Sequence, residues 1–426
     1  MRATPRQRVI AALGRKNTGP VAMDFGATEC SSAHLIAYRN LRSHLGLDPQ
    51  PLRLGCMAQL VAEADSEVQT RLGSDAVALP FYPRRWRNWD SGYGFPVEVP
   101  EGWKPEILPD GYSVIRDKHG VVLSRRAPGG MYFDVGAFSL ADAVSPKDYD
   151  ARPDLFARWD WPAVLDESVE EYAARARRLY AATDRAVIAQ WRMHYLQAGQ
   201  LLRGYEQFLV DLLVEEDMAR GLLDRLHVAY MQRARVFLDA LDGSIDAVFF
   251  TDDLGTQSAP LIGLETYRAM IKPYWAELIA LVKARGIKVI MHACGAVSDF
   301  IPDMIEMGVD ALNPVQITAT GMAPERLIRD FGRDISFWGG GVSTQGTLDR
   351  ATPAVIREEV VRNVGAFNRY GGYVFTPVHN IQADVPPENI VAAFQAARGC
   401  DLEKTSDCSA RPGGKTSSRA CDGDAH

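Results

Sequence analysis

Cysteine is scarce in this sequence. Six residues (Cys30, Cys56, Cys294, Cys400, Cys408 and Cys421) are spread through a chain of 426. That is not the dense, short-range pattern of a disulfide scaffold, so reduced thiols are expected. Long apolar runs are missing too: none approaches the roughly 18 residues that a membrane span requires. The opening MRATPRQRVIAALGRK carries charge throughout and lacks the apolar stretch of a secretory leader. Nor is there a basic excess, since 47 Lys and Arg stand against 54 Asp and Glu, a formal charge of −7. Short clusters such as Arg84-Arg85-Trp86-Arg87 do not make the footprint of a nucleic-acid binder. Together these absences leave a cytoplasmic protein with a small-molecule partner as the expectation, with no role for nucleic acid or membrane.

What is present is ordinary globular material, 47% hydrophobic and 24% charged, enough for a substantial core. Short β-rich runs alternate with helical periodicity. Strands are expected at 21–25, 75–80, 186–191, 246–251, 288–291, 310–313, 335–338 and 373–376. Helices are expected at 33–45, 59–72, 169–181, 205–241, 264–284, 296–307, 323–331, 353–369 and 387–397. Eight nearly continuous apolar strands alternating with helices fit an α/β fold, a (β/α)8 TIM barrel, better than an open sheet. About residues 81–160 the order is interrupted by a stretch rich in aromatics, Gly and Pro. A hairpin-like alternation there can turn at Lys118-His119-Gly120. This reads as a β-rich insertion after the second strand of a barrel spanning residues 1–400. Residues 401–426, rich in Ser, Gly and Asp, read as a disordered tail.

In such a barrel, polar residues that follow the strands converge on one mouth, where catalysis occurs. Here strand one leads to Glu29 and Cys30, strand four to Asp252-Asp253, strand five to His292-Ala293-Cys294, strand six to Asn313 and Gln316, strand seven to Gly339-Gly340-Gly341, and strand eight to His379-Asn380. His292 and Cys294 are two apart, so both side chains project to one side of an extended chain. Imidazole and thiolate together suit zinc, which takes nitrogen and sulfur ligands in tetrahedral geometry and keeps one position open when catalytic. His379 is the candidate third ligand, because strand eight returns to the same mouth. The plainer reading of an isolated H-x-C is a satisfied histidine beside a small buried thiol.

Of two adjacent carboxylates only one faces the lumen easily, and Asp252 is chosen as the catalytic candidate, with helix capping as its alternative. Gln316 is placed with it as a catalytic group. Glu29, Cys30 and Gln257 are expected to bind substrate. Gly339, Gly340 and Gly341 are expected to bring backbone N–H groups to an anion, or else simply to make a tight turn. His194 can also face the mouth, whereas His34, His44, His119 and His227 read as structural or exposed.

Between residues 5 and 397 the chain resembles the uroporphyrinogen decarboxylase superfamily, and within it the cobalamin- and thiol-dependent methyltransferases. The likeness is carried by TPRQRVIAALGRK, FFTDDLGTQ, IMHACG, WGGGVSTQGTL and PVHNIQADVPPENI. In that branch, the resemblance implies, an H-x-C pair plus a cysteine before the P-x-E-N-type helix start hold a zinc that activates a thiol acceptor. His292 and Cys294 match the pair. The third position falls on His379, which makes the ligand set one unit less negative and a bound sulfur less nucleophilic.

The resulting expectation is a zinc-dependent methyltransferase or demethylase acting on a thiol or related nucleophile. No D-x-H-x-x-G segment with a following Gly-rich βα unit is present, so methylcobalamin would arrive on a separate corrinoid protein. The resemblance also leaves room for a homodimer. A metal-free carboxy-lyase like the superfamily's namesake is the alternative, although its R-Q-A-G-R-Y segment is replaced after strand one by GATECSSAH. A non-catalytic binding barrel is the third class.

Overall fold

The computed structural model describes residues 3–80, 85–117, 119–157 and 167–399. Eight parallel strands make the central sheet: β1 (Ala22–Met23), β2 (Ala76–Leu79), β3 (Ala186–Gln190), β4 (Ala247–Thr251), β5 (Lys288–His292), β6 (Ala311–Asn313), β7 (Ser336–Trp338) and β8 (Tyr373–Phe375). Pairing runs continuously from β2 through β3, β4, β5, β6, β7 and β8 to β1. Asp75 closes the remaining seam: its N–H donates to Met23 O at 2.7 Å and its Oδ2 accepts the Met23 N–H at 3.0 Å. The sheet is thus an α/β TIM barrel.

Strand alternation divides the barrel's side chains into two sets. Ala22, Ala76, Ala186, Ala247 and Ala311 face the lumen in one cluster with Ile188, Phe249, Ile290, Trp338 and Val374. So many alanines leave room at the N-terminal end for the Pro5–Leu13 helix, which inserts Val9, Ala12 and Leu13 into that cluster. Outward residues such as Val187, Val248, Met291, Leu312 and Phe375 join the larger core with the surrounding helices. One step further along the same inward rows stand Asp24, Gln190, Thr251, His292 and Asn313, so the parity that builds the apolar plug also delivers polar groups to the opposite mouth.

Two small sheets lie between β1 and β3. One is antiparallel and comprises Glu106–Ile107, Ser113–Arg116, Val122–Arg126 and Asp134–Val135. Its central hairpin turns at 117–121, where Asp117 Oδ1 accepts the N–H groups of His119 and Val121; Lys118 lies outside the described residues. The other sheet joins Trp86–Trp89 and Val97–Pro100 to Leu52–Cys56 and Val61–Ala62.

This second sheet corrects the helix expected over 59–72. Val61–Ala62 is extended because Ala62 N–H bonds to Ala33 O, and the helix starts only at Ser66, where Asp65 caps the N–H groups of Glu67 and Val68. A helix at Leu196–Arg203, not expected from the sequence, follows β3. The proposed tail at 401–426 lies outside the described residues. Among the described residues no helix is long and apolar enough to cross a membrane.

Candidate metal centre and its cavity

His292 ends β5 on the lumen-facing row. Its Nδ1 lies 2.7 Å from Asn313 Oδ1, and the Asn313 amide is itself oriented by donating Nδ2–H to Trp338 O at 2.9 Å. Nδ1 therefore donates its proton to Asn313, which turns Nε2 toward the cluster, and the facing thiols and Asp253 raise the pKa of the ring well above its ordinary value in spite of burial. Nε2 is 3.2 Å from Cys294 Sγ and 3.5 Å from Asp253 Oδ1. Asp253 also accepts the Cys294 N–H at 3.0 Å, which fixes the backbone bearing the thiol.

His379 follows β8 and repeats the arrangement. Its Nδ1 bonds to Asn380 Oδ1, and Asn380 Nδ2 donates to Gln59 Oε1 at 2.7 Å. The His292 and His379 ring centroids are 5.5 Å apart. His379 also contacts the thiols of Cys294 and Cys30. Cys30 enters from the loop after β1, and ligand atoms of Cys30, His292 and His379 lie within 4.8 Å of one another. Asp253, His292 and Cys294 form a second such group, sharing His292. Burial alone would raise the Cys30 and Cys294 thiols, but the facing imidazoles prevail and hold both below the ordinary thiol value. Asp253 is likewise held well below the carboxylate range in spite of its burial, chiefly by His292.

A cavity of about 940 Å³ opens over this cluster. Its floor includes Cys30, His292, His379, Asp253 and Glu29, and its roof is built from the antiparallel sheet, with Leu123, Phe133 and Val135, and from Leu201 and Leu202 of the Leu196–Arg203 helix. Glu29 pairs with Arg192 at 2.7 Å; burial opposes its ionisation, but the guanidinium keeps its carboxyl below the usual value. Cys56, beside Glu29, is pushed up to about 12 by burial and then by that carboxylate. His194 also lines the cavity; its Nδ1 meets Thr251 O at 2.9 Å, and burial lowers its pKa to about 4, so it is neutral.

Several residues singled out from the sequence stand elsewhere. Asp252 is fully buried, and its carboxylate accepts the N–H groups of Tyr195, Leu196 and Gln197 and the Trp275 Nε1–H. It anchors the start of the Leu196–Arg203 helix, and its neighbour Asp253 faces the cluster instead. The reason is register: Thr251 pairs across from His292 and shares its inward face, which turns Asp252 outward. Gln316 and Gln257 do not line the cavity. Gln316 accepts the Gly295 N–H and donates to Gln257, bracing the loops after β4, β5 and β6.

Two of the three glycines already have their N–H groups taken within the barrel, which leaves them unable to present those groups to an anion. The N–H groups of Gly339 and Gly341 are taken by Val374 O and Thr376 O. Gly339 has φ +125°, and a Cβ there would meet Pro314 O at 1.9 Å; at Gly341 it would meet the Phe375 ring at 2.3 Å. They are glycines because the strands and loops press directly on them.

A closed eight-stranded barrel with a Cys/His cluster at the C-terminal mouth and a β-rich roof is the architecture of a barrel enzyme. Residues 191–400 match the family model for uroporphyrinogen decarboxylase (URO-D), the stretch that carries β4 to β8 and the Cys294/His292/His379 end of the cluster. It is 26% identical over 208 residues to the uroporphyrinogen decarboxylase of Legionella pneumophila (strain Corby), covering 47% of this chain and 54% of that protein. With that of Teredinibacter turnerae it shares 28% over 209 residues, 48% and 54% of the two chains. The chain thus spans about half the length of the curated relatives it matches. Among solved structures, a methyltransferase from Methanosarcina mazei aligns with 93% of this chain and 98% of its own at a TM-score of 0.57 and 19% identity, a likeness of fold.

Proposed function

We propose that this protein is a zinc-dependent methyltransferase or demethylase that activates a thiol or related nucleophile, with the methyl group carried by a corrinoid on a separate protein. The observation that supports the reading is the meeting of ligand atoms at the barrel mouth, His292 standing within reach of Cys30 and His379 on one side and of Cys294 and Asp253 on the other, with both imidazoles bonded through Nδ1 to side-chain amides. Nitrogen and sulfur donors in this number suit zinc, so the residues fit the metal that the resemblance implies. Bound there, zinc supplies the charge that keeps a coordinated thiol deprotonated at neutral pH.

The chain's own residues do the rest. Asn313 and Asn380 hold the two imidazoles, and Asp253 fixes the backbone of Cys294. His194 presents a neutral imidazole to the cavity, able to hold a substrate's polar group without adding charge.

A carboxy-lyase acting on a polycarboxylate is supported by the names of the curated relatives, but the cavity argues against it. Among its described lining residues Arg192 is the one Arg or Lys, and it is already paired with Glu29. The test is metal analysis of purified protein together with methyl transfer from methylcobalamin to 2-mercaptoethanol. About one zinc per chain is expected, with transfer lost in His292→Ala and His379→Ala. Metal-free protein that decarboxylates a pyrrole carboxylate would overturn the reading.

A further inference from the structure

We propose that Cys30 is a ligand of the metal centre and that an incoming thiol acceptor takes its place on the metal. This rests on the zinc reading above and deepens it. The H-x-C pair brings one thiolate, from Cys294, and the residue after β8 brings an imidazole, so a centre made of those three has a single sulfur. Cys30 supplies the second. Its ligand atom lies within 4.8 Å of those of both His292 and His379, and both imidazoles contact its thiol. Cys30, His292, Cys294 and His379 then form a two-nitrogen, two-sulfur set, complete for tetrahedral zinc and neutral overall once both thiols are deprotonated. Asp253 is a fifth candidate, but its Oδ1 already braces the Cys294 N–H. Cys56 stands with Glu29 and its thiol is pushed up, which sets it apart from the cluster.

With four protein ligands zinc would keep no open position, so a substrate thiol would bind most simply by displacing one of them. His292 and His379 are pinned by Asn313 and Asn380, and Cys294 by Asp253. Cys30, His292 and His379 line the cavity, whereas Cys294 does not. A ligand arriving from the cavity therefore meets one thiolate, that of Cys30, borne on a loop and not at a strand end. That loop is registered on the barrel through its neighbour Glu29, whose N–H donates to Gln190 Oε1 at 3.0 Å and whose carboxylate pairs with Arg192. In the exchange the acceptor's S–H proton would pass to the released Cys30 sulfur, leaving the acceptor's sulfur as the metal-bound thiolate. The number of thiolates on the metal is unchanged, and no oxidant or reductant is required.

Cobalt(II)-loaded protein reads this directly, because sulfur-to-cobalt charge-transfer absorption scales with the number of bound thiolates. In Cys30→Ser the absorption per bound cobalt is expected to fall to about half, one of two sulfurs being lost, while Cys56→Ser leaves it unchanged. Added 2-mercaptoethanol should restore the Cys30→Ser absorption to the wild-type level and leave wild type unaltered. X-ray absorption of the wild-type zinc protein, which needs no variant, should count two sulfurs. Equal absorption in Cys30→Ser and wild type, or one sulfur on zinc, would refute Cys30 as a ligand; a rise in the wild type with 2-mercaptoethanol would refute the exchange. Wild-type protein that takes up no metal would instead sink the zinc reading itself.

Discussion

Asn313 Oδ1 lies 2.7 Å from His292 Nδ1, and the same amide donates to Trp338 O, so one side chain on β6 determines which nitrogen of a β5 histidine faces the cavity. Asn313→Leu removes that orientation without charge. Zinc affinity is expected to fall about 10- to 100-fold, the usual cost of losing a partner behind a metal ligand. Competition with a chromophoric chelator measures it, and Asn380→Leu should act similarly through His379.

Asp252 tests the division of labour between the two adjacent carboxylates. Asp252→Ala strips four N–H groups of their acceptor and is expected to destabilise the fold by about 3 kcal/mol, as losses of buried caps and charge-assisted hydrogen bonds do. The folded fraction should keep its zinc. Asp253→Ala should reverse the pattern, with little change in denaturant midpoint and weaker metal binding.

Burial raises the folded-state pKa of Asp252 to about 6, above the usual value near 3.9 for an unfolded aspartate. The folded protein therefore binds this proton more readily than the unfolded chain. The stabilisation that follows is fully present below about pH 4 and is lost as the pH rises to about 6. Asp252→Asn cannot titrate, so the stability of wild type relative to this variant should decline over that window, by up to about 3 kcal/mol. Urea unfolding of both proteins at several pH values checks the sign; a difference that grows with pH would refute it.

Gly339→Ala places a methyl group 1.9 Å from Pro314 O at a φ of +125°. A loss of about 2 to 4 kcal/mol is expected from overpacking and strain combined. If the glycines served an anion instead, stability would be spared and phosphate or sulfate would cease to protect the protein in thermal melts.

If the proposed zinc reading holds, metal removal should lower stability, because the metal would bind the assembled cluster and not the dispersed ligands of the unfolded chain. Protein stripped by a chelator is expected to melt lower than the zinc form, with the difference growing with the logarithm of free zinc. Cys294→Ser should abolish that dependence at low zinc.

Much of the barrel was legible because parallel strands buried on both faces are short, apolar and flanked by turns. The same property hid the inward row. In Ala247–Thr251 both faces are buried, so alternation in AVFFT carries no polarity signal, and the lumen-facing carboxylate could not be distinguished. Only the register between β4 and β5 reveals that Asp252 points outward. The extended pairing of Val61–Ala62 and the helix anchored by Asp252 were equally out of reach, since both depend on partners distant in the chain.

Local chemistry alone determined that His292 and Cys294 share a face and that strand ends bear the reactive groups, because spacing along an extended chain fixes direction without reference to anything else. Tertiary structure decided which distant groups join them: Cys30 to the two imidazoles, Asn313 and Asn380 behind them, and Asp253 in place of Asp252. A barrel brings together residues hundreds of positions apart by closing a sheet on itself, and that closure leaves no trace in the neighbourhood of any one of them.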